Sequence, residues 1–384
     1  MSVTTPKGFL AAGVAAGIKP SGRPDVALVV NEGPHFAAAG VFTANRIKAA
    51  PVLWSQQVLK AGKVAAVVLN AGNANACTGA VGFQNTHRTA EEVADLLAGS
   101  AAEVAVCSTG LIGEQLPIDK LLTGVKSAYA ELRADGGVDA ASAIMTTDTV
   151  AKQALVVSPN GWSIGGMAKG AGMLAPALAT MLVVLTTDAV VGAGQLDTAL
   201  RAATAKTFDR LDSDGCMSTN DTVLLLASGA SEVEADVDEF AAAVEEACEQ
   251  LARQLIDDCE GASKVIAINV VNATTEQDAI DVGRAVSRSN LFKCAMHGED
   301  PNWGRILAAV GTTSASFDDD AVDVALNGVW ICRGSVGGDD RSGVDLSKRD
   351  VDVTIDLHAG GSSATVLTTD LTAAYVHENS AYST

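Results

Sequence analysis

Residues 169–185 read KGAGMLAPALATMLVVL, and the rest of the chain is best understood from this stretch. A lysine and paired glycines lead through Pro176 to Ala179 and Thr180, after which an apolar, β-branched run predicts a buried strand. Thr180 either opens that strand as an ordinary residue, or its hydroxyl attacks the bond to Ala179 and leaves Thr180 as a new amino terminus. In the second case the freed α-amino group, with a pKa of about 7.7–8.0, can serve as base for the hydroxyl of the same residue.

The charge balance of the 384 residues, 26 Lys and Arg against 46 Asp and Glu, gives a formal net charge of -20. Such a surface repels phosphate backbones and anionic lipid, so we expect neither nucleic acid nor membrane as a partner. The longest apolar region, residues 173–185, is interrupted by Pro176 and is shorter than the roughly 20 residues of a membrane span. Residues 8–18 are mostly Gly and Ala behind a single lysine, unlike a signal peptide. We therefore expect a soluble, cytoplasmic protein.

Motifs for metal and nucleotide chemistry are missing from the sequence. The seven cysteines contain no C-x-x-C pair, and the five histidines show no ligand spacing, so we expect reduced thiols and no metal site. Neither a P-loop nor a G-x-S-x-G elbow occurs.

Apolar β-type runs alternate with helical-period segments, which predicts an α/β fold. The clearest helix covers residues 237–256, where large apolar residues recur every three or four positions. Asn-Gly at residues 160–161 and Gly-Gly at residues 360–361 each lie between two apolar runs and predict hairpin turns. From about residue 322 onward the chain is expected to be β-rich and antiparallel.

Three polar or glycine-rich segments directly follow predicted strands, at residues 70–75, 108–110 and 165–172. Strand ends are where loops usually build binding sites. The segment at residues 108–110 would, by itself, be only a turn.

Ordered blocks along nearly the whole chain resemble the ornithine acetyltransferase family of arginine biosynthesis, the bifunctional glutamate N-acetyltransferases and N-acetylglutamate synthases. The blocks are residues 6–9 (PKGF), 69–79 (LNAGNANACTG), 108–113 (STGLIG), 146–149 (TTDT), 165–170 (GGMAKG), 179–182 (ATML), 218–222 (STNDT), 300–305 (DPNWGR) and 378–382 (ENSAY).

The resemblance implies a fold of two mixed β-sheets covered by helices and self-cleavage between Ala179 and Thr180. Residues 1–179 and 180–384 would then form two chains that stay associated, as a pair of such heterodimers. Thr180 would take the acetyl group of N-acetylornithine and pass it to glutamate in a ping-pong cycle. No cofactor is implied, although some members of the family also use acetyl-CoA as acetyl donor.

The resemblance also assigns roles to single residues. Thr109 and Gly110 would stabilise the oxyanion, through a hydroxyl and a backbone N–H. We expect Lys169 to meet the substrate carboxylate and Glu260 the ornithine ammonium. His297 and residues 300–305 are assigned no chemistry. The complete set of implied substrate contacts is Thr147, Lys169, Thr180, Glu260, Asn379 and Thr384, with Thr149 as the alternative to Thr147.

Two other functions stay open at this point. The same self-cleaving scaffold would also suit an amidohydrolase or aminopeptidase, which would release free acetate instead of transferring it. A non-catalytic ligand-binding protein would remain one intact chain, with Thr180 as an ordinary strand residue.

Overall fold

The computed structural model describes residues 2–175 and 181–381. The strands are β1 Phe9–Val14, β2 Val26–Asn31, β3 Ala37–Phe42, β4 Ala66–Asn73, β5 Val104–Leu111, β6 Lys152–Val157, β7 Ser163–Lys169, β8 Leu182–Thr187, β9 Thr222–Ala227, β10 Val265–Ala273, β11 Asp323–Leu326, β12 Val329–Arg333, β13 Val336–Gly337, β14 Asp350–Asp356 and β15 Ser362–Thr369. The α-helices are α1 Ala50–Val58, α2 Gly79–Leu97, α3 Ile118–Ala130, α4 Gly137–Ala143, α5 Ala193–Lys206, α6 Val237–Asp257, α7 Glu276–Ser287, α8 Asn290–His297, α9 Trp303–Val310 and α10 Ala373–Ala381.

The strands form three sheets. The first sheet has the order β1-β2-β4-β5, the second β3-β9-β8-β7-β6, and the third β13-β12-β11-β14-β10-β15. Each sheet is mixed: β4–β5, β8–β9 and β10–β14 are parallel pairs among antiparallel neighbours.

The first two sheets pack face to face between helices. Val29 and Leu69 of the first sheet share a core with Val184 and Leu224 of the second. Helices α2 and α3 cover the outer face of the first sheet, and α5 and α6 cover that of the second. The predicted α/β fold, with two mixed sheets covered by helices, is confirmed in these four layers.

Helix α6 shows how the sequence encodes one of these layers. The Asp236 side chain caps the helix by accepting the N–H groups of Asp238 and Glu239. Phe240 and Leu251 belong to a fully buried stripe whose members each stabilise the fold by about 1.5–3 kcal/mol. The helix predicted over residues 237–256 is confirmed within one residue.

Five of the six strands of the third sheet lie in the region predicted to be β-rich, from about residue 322, while β10 lies before it; helices α7, α8 and α9 cover one face of the sheet. Residues 358–361 do not form the predicted hairpin, because β10 pairs with both β14 and β15 and separates them. The local turn signal was outweighed by pairing with a distant strand. In contrast, β6 and β7 do form the hairpin predicted at Asn160-Gly161.

One edge of the two packed sheets collects the segments that matter for function. Parallel β4 and β5 both end there, β7 ends there at Lys169, and β8 and β9 begin there, with Lys169 opposite Leu182 and Leu182 opposite Thr222. Within residues 2–175 and 181–381, no helix is long and apolar enough to cross a membrane.

Candidate active site

A cavity of about 90 Å³ opens at this edge, and we call it the acetyl pocket. The described residues that line it are Ala74, Thr109, Gly110, Ile112, Thr146, Thr147, Lys169, Gly172, Met173, Ser218, Asn220, Glu260 and Asn379. Six of them are residues that the sequence singled out: Thr109, Gly110, Thr147, Lys169, Glu260 and Asn379. Ala179, Thr180 and Thr384 lie outside the described residues.

The backbone at Gly110 accepts only glycine. Its φ is +127°, and a Cβ at this position would lie 2.4 Å from the carbonyl carbon of Gly72 on the adjacent strand. This close approach of β4 and β5 sets the position of the Thr109–Gly110 peptide at the pocket wall.

Asn220 holds the same wall from the other side. Its buried side-chain amide donates to the carbonyl oxygens of Ala74 (2.6 Å) and Ser108 (2.8 Å), which joins the loop that follows β4 to strand β5. The Ser108 hydroxyl adds a bond of 2.6 Å to Asn70. The sequence placed Asn220 in a family block without assigning it a role; its position just before a buried strand was the available signal.

Lys169 fixes the direction of the Thr109 hydroxyl. The fully buried Lys169 ammonium lies 3.3 Å from Thr109 Oγ1. An ammonium only donates hydrogen bonds, so the threonine oxygen accepts and its own hydrogen stays available to a group in the pocket. Burial lowers the pKa of Lys169, and the Asp148 carboxylate opposes that shift.

A buried ion triad lies behind the pocket. Lys152 Nζ is 2.6 Å from Asp148 Oδ1 and 2.6 Å from Asp258 Oδ2, and all three side chains are at most 8% exposed. Asp148 also accepts the backbone N–H groups of Gly170 and Thr146. Burial would raise the pKa of Asp148, but the Lys169 and Lys152 ammonium groups lower it to about 2. The triad therefore fixes the pocket loop at Thr146 to the end of β7.

The two candidate threonines are separated by their contacts. Thr147 lines the acetyl pocket. Thr149 instead donates its backbone N–H to Asp258 Oδ2 over 3.0 Å, and its hydroxyl bonds the other oxygen of the same carboxylate. Thr147 is thus the one positioned to meet a substrate.

Glu260 is held against the loop that follows β7. Its backbone N–H donates to the Ala171 carbonyl over 2.8 Å, and Asn379 Nδ2 donates to its Oε2 over 2.9 Å. A Cβ on Gly172 would lie 2.7 Å from Glu260 Oε2, so the missing side chain leaves room for this carboxylate. Glu260 therefore contributes a negative charge to the pocket wall, whereas Lys169 contributes a positive one.

Asp221 lies beside the chain that follows Thr180. This fully buried carboxyl accepts the backbone N–H of Met181 over 3.2 Å. Burial raises the pKa of Asp221 well above its usual value, while the Met181 hydrogen bond opposes the shift. Asp221 is a second residue of the 218–222 block whose position could not be inferred from sequence.

The remaining blocks lie elsewhere. His297 Nδ1 is 3.0 Å from Asp370 Oδ2, and Asn302 caps α9 by accepting the N–H of Arg305. Neither residue lines the acetyl pocket. Among residues 2–175 and 181–381, no group of three or more His, Cys, Asp or Glu side chains is arranged to hold a metal ion.

A family model and the similar protein sequences agree on one family. The ArgJ family model matches residues 10–384. Proteins named arginine biosynthesis bifunctional protein ArgJ from Streptomyces coelicolor and Thermobifida fusca are each 64% identical to this chain. Each comparison covers 100% of this chain and 100% of the relative. The Mycobacterium leprae protein of that name is 57% identical over 99% of this chain and 95% of its own length.

Two solved structures are also similar. The ornithine acetyltransferase of Mycobacterium tuberculosis complexed with ornithine is 58% identical, covers 47% of this chain and 96% of that chain, and gives a TM-score of 0.45. ArgJ from Bacillus halodurans is 34% identical, covers 51% of this chain and 97% of that chain, and gives a TM-score of 0.48.

Proposed function

The chain belongs to the ArgJ family, and on that premise we propose that it moves an acetyl group from N-acetylornithine to glutamate by way of Thr180. The observation that carries this proposal is the acetyl pocket. It gathers a hydroxyl and a backbone N–H suited to an oxyanion, a buried ammonium and a carboxylate in one small cavity.

Maturation comes first in this scheme. The Thr180 hydroxyl attacks the Ala179 carbonyl, the Thr180 nitrogen leaves with a proton as a free amine, and an ester joins the two residues. Water then hydrolyses the ester and gives residues 1–179 and 180–384. The new α-amino group is the base that the transfer requires.

Transfer then proceeds in two half-reactions. Thr180 Oγ attacks the acetyl carbonyl of N-acetylornithine while its α-amine takes the hydroxyl proton. The Thr109 hydroxyl and the Gly110 N–H stabilise the oxyanion, and ornithine leaves with that proton. In the second half-reaction the amine of glutamate attacks the acetyl carbonyl of acetyl-Thr180. The Thr180 α-amine passes the proton of the attacking amine to Thr180 Oγ, which leaves as the free hydroxyl, and N-acetylglutamate is released.

The charged walls orient the substrates. Lys169 pairs with a substrate carboxylate, and Glu260, with Asn379 bound to one of its oxygens, pairs with the ornithine side-chain ammonium. Thr147 lines the same pocket, and Thr384 completes the set that the family resemblance implies. Ornithine, which leaves in the first half-reaction, and glutamate, which accepts the acetyl group in the second, share an α-amino acid group, which lets one site serve both half-reactions.

Further properties belong to the same proposal. The scheme requires no cofactor, because the acetyl group arrives on the donor substrate. Acetyl-CoA as a second donor is in keeping with the word bifunctional in the names of the relatives. We also propose an assembly of two 1–179 and two 180–384 chains, located in the cytoplasm.

The test is an incubation of the purified protein with N-acetylornithine, with and without glutamate. Transfer predicts N-acetylglutamate in step with ornithine when glutamate is present, and little free acetate. Acetate as the main product in the presence of glutamate would instead indicate a hydrolase and overturn the proposal.

A further inference from the structure

A second cavity, of about 200 Å³, lies between α10, the loop before β9 and the junction of α7 with α8. It shares none of the described residues that line the acetyl pocket. Its polar wall is formed mainly by Asp214, Arg288, Asn290, Lys293, Asp370 and Tyr375. We call it the zwitterion cavity for the charges that it presents.

The cationic side of the cavity has hydrogen-bonding capacity to spare. Lys293 is only 4% exposed, and its ammonium donates to the Ser213 carbonyl and to Thr368 Oγ1. An ammonium has three donors, so one remains after these two bonds. Arg288 bonds Asp212 through Nε over 2.7 Å; within the described part of the chain, its terminal nitrogens have no hydrogen bond of this kind.

The anionic side is formed by two carboxylates. Asp214 accepts the N–H groups of Met173 and Cys216 and the hydroxyl of Tyr375. Asp370 is buried; one of its oxygens accepts the backbone N–H groups of Ser263 and Lys264, and the other accepts the Ser263 hydroxyl and lies 3.0 Å from His297 Nδ1. A carboxylate offers about four lone-pair sites, so Asp214 can accept one further donor, whereas Asp370 already has four partners and contributes only its negative charge.

We infer that the zwitterion cavity binds a free α-amino acid, with its carboxylate at Arg288 and Lys293 and its ammonium bonded to Asp214 and attracted by the nearby charge of Asp370. Two cations and two carboxylates match a ligand that carries one charge of each sign. A simple anion such as phosphate would meet the two carboxylates as well as the cations, which disfavours it. The volume also suits a molecule of this size.

The cavity is connected to the acetyl pocket by two direct contacts. Asp214 Oδ2 accepts the Met173 N–H over 2.8 Å, and Met173 lines the acetyl pocket. Tyr375, which bonds the same Asp214 oxygen, accepts Asn379 Nδ2 at its carbonyl over 3.0 Å. An amino acid held at Asp214 and Tyr375 steadies Met173 and Asn379, so we expect it to lower the KM for glutamate.

The primary test is equilibrium dialysis of the full-length protein with labelled L-alanine, a minimal zwitterion. We expect one L-alanine per chain, bound about tenfold more weakly by Arg288→Lys and by Tyr375→Phe. Lysine keeps a cation beside Asp212 but loses the planar fork that binds a carboxylate, so this variant should melt like the parent. Lys169→Gln, which removes the cation assigned to the substrate carboxylate in the acetyl pocket, should leave L-alanine binding unchanged.

Three results would overturn the inference: no L-alanine bound at millimolar concentration, binding lost in Lys169→Gln but kept in Arg288→Lys, or equal binding of inorganic phosphate at the same residues. Dialysis is independent of acetyl transfer, so its failure is distinguishable from failure of the proposed function. A second arm does rest on that function. Saturating L-alanine should lower the KM for glutamate about fivefold in the parent and not in Arg288→Lys, and an unchanged or higher KM would exclude the coupling.

Discussion

The acetyl pocket and the third sheet use polar residues in opposite ways. Around the pocket, Lys152, Lys169 and Asn220 are buried, and each bonds partners far away in sequence. On the third sheet, Asn269 bonds Asp352 over 2.7 Å on an exposed face. Burying a polar group is costly unless it is hydrogen-bonded, so buried polar clusters persist where function needs them. We therefore expect substitutions to act strongly at the pocket and weakly on the sheet.

The largest difference is expected for Thr180→Ala. Without the hydroxyl, the chain has neither the nucleophile for cleavage nor the one for transfer, so both should be abolished together. Mass spectrometry and an acetyl-transfer assay check the two losses. The comparison variant Asn269→Ala should cleave and turn over normally, and an active Thr180→Ala protein would refute the mechanism.

Lys152→Met should cost stability more than any third-sheet surface change. It leaves the carboxylates of Asp148 and Asp258 buried without their shared cation, a loss of about 3–5 kcal/mol in the free energy of unfolding. Asn269→Ala should stay within about 0.5 kcal/mol of the parent. Urea unfolding measures both, and equal effects would show that the triad does not stabilise the fold.

The stability of the protein in acid should also depend on the triad. The pKa of Asp148 is about 2 in the folded chain and about 3.9 in a model peptide, so its contribution to stability is full above pH 3.9 and is lost as the pH falls toward 2. Asp148→Asn should flatten the pH dependence of the free energy of unfolding in that window, by up to about 3 kcal/mol. Asp352→Asn, on the exposed face of the third sheet, should leave that pH dependence unchanged. An unchanged acid limb in Asp148→Asn would contradict the assignment.

Asn220→Ala tests whether the position of the Thr109–Gly110 peptide depends on the Asn220 side chain, which lies in the loop just before β9. Loss of its bonds to Ala74 and Ser108 frees the Thr109–Gly110 peptide, and a misplacement of about 1 Å can lower kcat about 100-fold. The KM should change little, because Asn220 is assigned no role in substrate charge recognition. A raised KM at constant kcat would show that Asn220 instead binds substrate.

Gly172→Ala should have the smallest effect. Its Cβ would displace the flexible Glu260 carboxylate, which we expect to raise the KM for N-acetylornithine about tenfold, with stability nearly unchanged. Gly361→Ala, near the third sheet, has no atom within 4 Å of its Cβ and serves as the matched control. An unchanged KM in Gly172→Ala would separate Glu260 from ornithine binding.

The sequence predicted features that depend on local pattern. The stripe of α6 and the alternation of β-runs with helices were sufficient for the α/β class, whereas the two helix-covered sheets were implied by the family resemblance. The turn at residues 358–361 misled, because β10, about 90 residues earlier in the chain, pairs between the flanking strands. Strand order depends on such distant pairing, which no local pattern encodes.

The same distinction applies to the site. The family resemblance supplied Thr109, Gly110, Thr147, Lys169, Glu260 and Asn379, and the structure brings all six to one pocket. The partners behind them were not predicted: Lys152 meets Asp258 across 106 positions, and Asn220 meets Ser108 across 112. A buried lysine or asparagine has no sequence signature of its own until its partners are known.

The most direct test of the account is the intact mass of the purified protein under denaturing conditions. We predict two fragments, divided between Ala179 and Thr180, which would establish Thr180 as a free amino-terminal residue. A single species near 38.9 kDa in a preparation that transfers acetyl groups would contradict the central claim, because the threonine would then lack its proposed base.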